Sequence, residues 1–144
     1  FNASEAGMSV TLPRVSPDGR RLLFTCGKFG VFHIWHKDAD LYVMDLESSR
    51  IRELAEINSS DVESYHSWSS DGEWVVFATR REDGGFTRLY LTHANADGTF
   101  SKPFPVPCRN PYQKTYELYS NSVPELTVSR VKTSPHQLSW LVRK

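Results

Sequence analysis

The fold is decided by the stretch SYHSWSSDGEWVVFATRR, residues 64–81, because an earlier part of the chain repeats its pattern. The earlier part is TLPRVSPDGRRLLFTCGK, residues 11–28. In both, a Ser-containing approach leads to Asp-Gly, then to a charged residue and an apolar run that ends in Phe. Asp18 and Asp71 lie 53 residues apart. A repeat of this length indicates that one supersecondary unit occurs twice.

The second copy has the pattern of four short strands separated by turns. Residues 64–69 alternate between two faces, as strands do. Asp-Gly at 71–72 is a tight-turn signal, and the aromatic and β-branched residues 74–77 favour a strand. A third strand is expected at 86–92, and a fourth, Pro-broken edge strand at 100–106.

The first copy has the same order of strands and turns. Its strands are expected at residues 9–15, 21–25, 40–46 and 51–54. The interval from Asp-Gly to the third strand is five residues longer than in the second copy, so an insertion lies between the second and third strands.

Four short antiparallel strands in a repeat of about 50 residues are typical of a propeller blade. The sequence therefore predicts an all-β, propeller-like fold with two four-stranded antiparallel blades, at about 8–57 and 61–107, which form part of a larger propeller.

Residues 108–144 differ from the repeats and form a predicted C-terminal extension. A short helix is expected over residues 112–118. The segments 126–131 and 138–142 are predicted as strands that cover an open sheet edge. The extension carries six Lys and Arg against two Glu, a small basic excess.

Composition limits the function classes. The 144 residues are 39% apolar and 24% charged with a net charge of zero, so a broad electrostatic grip on nucleic acid is not expected. No apolar run approaches the roughly 20 residues that span a bilayer.

Because the chain begins with Phe1, it is expected to be a processed product or a piece of a longer protein. Cys26 and Cys108 lack metal-type spacing and are either one disulfide or two buried thiols.

Several strings in the repeats resemble a known family. PRVSPDGRRLLF followed by DLYVMDLESSRIREL resembles the TolB-type β-propeller repeat, and HSWSSDGEWVVF followed by TRLYLTHANADG resembles the same repeat with Ser in place of Pro. FHIWHKDADLYVMDL, SSDVESYHSWSSDGEWVVFATRREDGG and NPYQKTYELYSNSVPEL resemble the C-terminal blades of exported bacterial TolB-like proteins. The resemblance covers about residues 8–126.

The resemblance implies a fold and a compartment, and the function that we expect is one without catalysis. TolB-like propellers have six or more blades, whereas this sequence has two, so a protein partner or self-association is expected to complete the propeller. The chain is then expected to be a scaffold or recognition surface in an exported, periplasmic bacterial protein.

The densest polar cluster lies in the inserted segment. His33, His36 and Asp38 fall within six residues, and His66 precedes the Asp-Gly turn of the next repeat. Imidazole and carboxylate groups together suit zinc, manganese or iron. These four residues are therefore the candidate ligands of a divalent metal, and the alternative, which we favour, is that they hydrogen-bond neighbouring strands and cap loop carbonyls.

A ligand site at the propeller mouth is the related prediction. Its candidate residues are Trp35, His36, Asp38, His66 and Trp68. Two further classes stay open at this point: a propeller-type enzyme domain, like a metal-dependent polysaccharide lyase, and a structural subunit of a larger envelope or redox complex. The sequence contains no nucleophile elbow, phosphate-binding loop or His-Glu-x-x-His motif.

Overall fold

The structure, a computed structural model, describes residues 2–28, 30–107 and 120–142. Within those residues the chain forms two four-stranded antiparallel sheets and one short α-helix. The all-β prediction is thereby confirmed, with four strands from each repeat. Strand order follows chain order in both sheets, and in the described part of the chain neither sheet closes on itself.

The first sheet consists of β1 (Ser9–Val15), β2 (Arg21–Gly27), β3 (Asp40–Asp45) and β4 (Ile51–Glu53). Its first turn is held by Asp18, whose carboxylate accepts hydrogen bonds from the Ser16 hydroxyl and the Arg20 backbone N–H. Gly19 has a φ of 72°, which glycine adopts without strain. The Ser16 and Arg20 bonds hold the pKa of Asp18 below its usual value.

The second sheet consists of β5 (Glu63–Trp68), β6 (Trp74–Thr79), β7 (Arg88–His93) and β8 (Phe104–Pro105). Its first turn repeats the first one, since Asp71 accepts from the Ser69 hydroxyl and the Glu73 backbone N–H. β8 is shorter than predicted, because the flanking prolines have no N–H to donate to a sheet.

The two sheets pack face to face around one apolar core. Leu23 on β2 and Val75 and Phe77 on β6 are fully buried there. Because side chains alternate along a strand, the residues between them point to the two outer faces. The remaining buried members of this core are Leu41, Val43, Leu54, Ile57, Tyr90, Ala94 and Phe100.

The C-terminal part differs from the prediction. Residues 126–131 form no strand, and residues 138–142 belong to a helix, α1 (Pro135–Val142), so both strand predictions are wrong. Ser134 and Gln137 cap the start of α1: the Ser134 N–H donates to Gln137 Oε1 and the Gln137 N–H to Ser134 Oγ. This is a capping box with proline at the first helical position, and both features favour a helix.

Two other predictions concern the helix at 112–118 and the two cysteines. The helix predicted at 112–118 and the residue Cys108 lie outside the described residues. Cys26 is a buried free thiol, and burial raises its pKa, with a smaller contribution from Asp40.

Candidate functional site

The loop between β2 and β3 holds three of the predicted ligand-site residues. Ile34 is buried and fixes a 3-10 turn, His33–Trp35, at the start of β5. Trp35, next to it, is 69% exposed. Asp38 Oδ2 accepts the Lys28 backbone N–H at 2.8 Å, which lowers the pKa of that carboxyl group. The loop is thus a built element that presents Trp35 to solvent.

His33 is a buried structural residue in the same turn. Its Nδ1 lies 2.6 Å from the Thr11 hydroxyl, and burial lowers the pKa of its imidazole. A Cβ atom on Gly27 would lie 2.8 Å from His33 Cδ2, so glycine at that position makes room for the ring. The ring centroid of His36 lies 5.9 Å away.

His66 and Trp68 lie apart from this loop. His66 is buried between the sheets, where Nε2 donates to the Leu23 carbonyl at 3.2 Å. Trp68 ends β5, and its indole N–H donates to the Arg14 carbonyl. The loop contacts the other end of β5, where the Ala39 carbonyl accepts the Glu63 backbone N–H. Glu63 lies about 16 Å from Trp68 along the strand. The structure thus places three of the five predicted ligand residues in the β2–β3 loop and the other two on β5.

The predicted metal ligands are not brought together either. Among the described residues, no group of three or more His, Cys, Asp or Glu side chains is placed to hold a metal ion. His33 and His36 are neighbours, whereas His66 is bonded to a backbone carbonyl between the sheets.

A charged cluster joins the β2–β3 loop to the second sheet. Asp61 lies between Lys37 and Arg80, with N–O distances of 3.7 and 3.6 Å. The Arg80 guanidinium lies 5.4 Å from the centre of the Trp35 ring. Asp61 also accepts the Val62 backbone N–H at 2.9 Å. These contacts hold the loop against the sheet and leave the outer surface of Trp35 free to contact solvent.

A second ion pair lies deeper, beside the core. Glu63 is fully buried and accepts from the Arg81 guanidinium at 2.9 Å and from the Thr79 hydroxyl at 2.8 Å. Ser59 donates its N–H and its hydroxyl to the same carboxylate. Arg81 also lies over the Tyr90 ring at 4.8 Å. The carboxylate is therefore fully paired, as a structural ion pair requires.

Asp40 is the carboxyl group whose proton affinity the fold changes most. Burial, followed by the nearby Glu63, Glu53 and Asp38 carboxylates, raises the pKa of Asp40 to about 6. Asp40 pairs with Cys26 across β2 and β3 and shares its face of the sheet.

A further apolar surface belongs to the first sheet. Its outer face, on the side away from the second sheet, carries Val15, Leu22, Phe24, Tyr42 and Met44, and we name it the first-sheet outer face. Phe24 is buried, and its ring stacks on that of Tyr42 with 6.0 Å between the ring centroids. Burial, with a smaller contribution from the Glu53 carboxylate, raises the pKa of Tyr42 to about 12. Val15 is 55% exposed, whereas Leu22, Tyr42 and Met44 are half-buried.

The repeat shows what this face corresponds to. With the two Asp-Gly turns aligned, Leu22 corresponds to Val75 and Phe24 to Phe77, and the paired Tyr42 corresponds to Tyr90. The second-sheet residues are buried against the first sheet, with Val75 fully buried and Tyr90 9% exposed. The first-sheet outer face is therefore built like a face that, in the other repeat, packs against a sheet.

The other outer face of the molecule is covered by the chain itself. The second-sheet outer face carries Trp74, Val76, Leu89, Leu91 and Phe104. We name residues 120–128 the C-terminal arm, and its last three residues, 126–128, line a groove of about 540 Å³ together with side chains of this face.

The C-terminal arm is attached at its two ends. At one end, the Asn121 N–H donates to the Thr87 carbonyl at 3.0 Å. At the other, Glu125 pairs with Arg14 at 2.7 Å, with both side chains about half exposed. Pro124 is buried between the two attachments.

Sequence reasoning placed the candidate site in the polar loop and missed the first-sheet outer face. The signal was present in the repeat, because Phe24 and Tyr42 correspond to Phe77 and Tyr90 in both sequence and pairing. Aromatic residues at equivalent positions predict packing, but only the structure shows that one of the two copies has no sheet packed on it in the described part of the chain.

Neither a scan of the chain against protein-family models nor a search of curated proteins finds a match. In the described part of the chain, no helix has the length and apolar character that crossing a membrane requires.

Proposed function

We propose that this chain is a non-enzymatic interaction segment, whose two sheets act as two blades of a propeller-type assembly. A protein partner supplies a further sheet, which packs on the first-sheet outer face. The observation that carries the proposal is the correspondence of Phe24 and Tyr42 with Phe77 and Tyr90, the aromatic pair at the interface between the sheets.

The mechanism of binding is burial of apolar surface by a matching shape. In the existing interface, β6 and β7 present Phe77 and Tyr90 to the β2 and β3 side chains Leu23 and Val43. A partner sheet with a similar aliphatic face would bury Tyr42 in the same way. Each large apolar side chain that becomes fully buried contributes about 1.5–3 kcal/mol.

The cellular location of the protein is proposed from the sequence resemblance of its repeats. The resemblance of the two repeats to TolB-like propellers supports an exported, periplasmic protein, in which a propeller segment recognises other proteins through its faces and loops. The exposed Trp35 in the β2–β3 loop would add to such a recognition surface.

A tandem chain tests the proposal by supplying the missing sheet. Residues 1–62 are joined to residues 10–144, so that the added repeat offers its Leu23 face to the original first-sheet outer face. We expect one cooperative thermal transition with a higher melting temperature than that of the original chain. Calorimetry and urea unfolding measure this change.

The matched control is the same tandem chain with Tyr42→Glu in the original copy only, which places a charge in the new interface. It is expected to lose the added stability. Two separate transitions in the unmodified tandem chain, one for the added repeat and one at the original temperature, would show that this face does not accept a sheet.

A further inference from the structure

The last part of the chain differs in charge from the rest of the molecule. We name residues 129–144 the basic tail, because they include four Lys and Arg and no Asp or Glu. The chain has a net charge of zero, so residues 1–128 carry an excess of four negative charges. A negatively charged surface would therefore attract the basic tail and repel the rest of the molecule.

Two cations of the basic tail are available to such a surface. The side chains of Arg130 and Lys132 are exposed, and neither forms a salt bridge with another described residue. Because no carboxylate has to be released first, the full charge of both side chains can act on a partner.

Helix α1, which lies in the basic tail, has an apolar side that faces solvent. Leu138, Leu141 and Val142 are each more than half exposed. Their spacing of three and four residues places them on one side of the helix. His136 and Ser139, which are three residues apart, lie on the other side. The helix is therefore apolar along one side and polar along the other.

Trp140 lies at the edge of the polar side, four residues after His136. Its side chain is also more than half exposed. An indole ring combines a large apolar body with an N–H donor, and it prefers the level of the headgroups at a membrane surface. The position of Trp140 suits a helix that lies in that interface.

The apolar side of α1 decides between the two large classes of negatively charged partner. Nucleic acid binds Lys and Arg through its phosphates, and it would leave the apolar side of α1 in water. At an anionic bilayer the cations meet the headgroups, while the apolar side is buried among the acyl chains. A bilayer surface therefore uses both properties of the basic tail.

The length of α1 fixes how it could lie. Eight residues at about 1.5 Å per residue give a helix of about 12 Å, and the hydrocarbon core of a bilayer is about 30 Å thick. Such a helix can lie in the plane of the interface but cannot cross the membrane.

We infer that the basic tail binds the surface of an anionic phospholipid bilayer, with α1 in the plane of the interface and its apolar side toward the acyl chains. Burial of that side also stabilises a helix that is marginal in water. Lipid binding goes beyond the proposed function and does not depend on sheet packing. It would place the two sheets, with their interaction surfaces, next to a membrane.

Sedimentation of the full chain with lipid vesicles tests the inference. One set of vesicles contains equal parts of phosphatidylglycerol and phosphatidylcholine, and the other contains phosphatidylcholine alone. We expect the chain to sediment with the anionic vesicles and to stay in solution with the neutral ones. Arg130→Gln with Lys132→Gln should weaken partitioning about 25-fold, because each charge near an anionic surface contributes roughly fivefold.

Matched glutamine variants test the orientation of α1. Leu141→Gln places an amide on the apolar side and should weaken partitioning about tenfold. Ser139→Gln places the same amide on the polar side and should have no effect. Leu46→Gln changes an exposed leucine in the turn after β3, and it should also partition as the intact chain does.

Four results would overturn the inference. The first is an intact chain that stays in solution with the anionic vesicles, and the second is equal partitioning into both kinds of vesicle. The third is an equal loss in Ser139→Gln or Leu46→Gln and in Leu141→Gln. The fourth is binding to duplex DNA in place of vesicles, with Leu141→Gln binding as well as the intact chain.

Self-association is the remaining alternative for the apolar side of α1. A mass above 16.5 kDa that Leu141→Gln returns to 16.5 kDa, without any binding to vesicles, would assign this side to a contact between copies and overturn the lipid site. None of these results affects the tandem-chain experiment, because the stability measured there depends on the sheets. Failure of the lipid site and failure of the proposed function are therefore distinguishable.

Discussion

His66 lies between the two sheets as a neutral imidazole. Its Nε2 donates to the Leu23 carbonyl, and its Nδ1 is buried without a hydrogen-bond partner in the described part of the chain. Burial lowers the pKa of His66 to about 4, from an ordinary 6.5. The fold therefore favours the uncharged form, which is the behaviour of a packing residue and the reverse of what an anion site on this side chain would need.

His66 should make stability depend on pH. Between pH 6.5 and 4 the unfolded chain binds a proton that the folded chain does not, so stability is lost as the pH falls through this window, by about 3 kcal/mol in all. Because glutamine can donate to the same carbonyl without titrating, His66→Gln should have a flatter stability profile. Urea unfolding of both proteins at a series of pH values measures the difference.

The comparison between the two proteins removes a competing effect. The pKa of Asp40 is raised to about 6, so Asp40 lowers stability as the pH rises from about 4 to 6, in the opposite direction. Asp40 is present in both proteins and its effect cancels in the difference. Parallel profiles for the two would contradict the assignment of His66.

Arg81 neutralises a carboxylate that has no access to water. Arg81→Gln leaves Glu63 buried and unpaired, and we expect it to lower the free energy of unfolding by about 3–5 kcal/mol. Arg52→Gln breaks the exposed pair with Glu56 and should cost about 1 kcal/mol or less. Equal losses in urea unfolding would show that Glu63 is solvated in the folded protein.

At the scale of elements, the strands were predictable and the C-terminal segment was not. The same local signal occurs in both repeats: an Asp-Gly turn, at 18–19 and at 71–72, is followed by an apolar run that forms a strand. The segment 138–142 has an apolar run of the same kind, but the Ser134 cap decides its structure. Residues 126–131 form no strand, and the first three of them line a groove on a sheet face instead of following a sheet edge.

The candidate site was harder to predict than the elements. The sequence places Trp35, His36 and Asp38 in one loop, and the structure keeps them together. It cannot show that His66 lies within the sandwich or that Trp68 ends the strand at the other side, because these positions depend on how the two sheets are stacked.

Helix α1 depends on its cap more than on its surroundings. Its side chains at 136–142 are exposed, and an eight-residue helix is marginal in water. Ser134→Ala removes the acceptor for the Gln137 N–H and should cost about 1 kcal/mol of helix stability. We expect the carbon chemical shifts of residues 136–142 to move toward random-coil values, with the melting temperature of the sheets unchanged.

Ser134→Asn is the matched variant, because asparagine caps helices as well as serine does. It should keep the helical shifts. Loss of those shifts in both variants would mean that contacts outside the cap hold the helix.

On the scale of the whole molecule, the side-chain pattern of one interface occurs three times: once complete and twice as a half. The complete copy lies between the sheets, and the halves are the first-sheet outer face and the second-sheet outer face. The second-sheet outer face has residues 126–128 against it, while the first-sheet outer face carries Val15, Leu22, Tyr42 and Met44 partly exposed. This asymmetry gives the molecule a direction, which a scaffold that adds units in one order requires.

Each sheet is also made from one uninterrupted length of chain, with the strands in the order of the sequence. Backbone pairing within each sheet is therefore between strands that are consecutive in sequence, which favours faster formation than pairing between distant strands. During synthesis the segment from Ser9 to Glu53 leaves the ribosome before the strands of the second sheet do. The first sheet can then form while both of its faces are still solvated, and the second sheet packs against it later in synthesis.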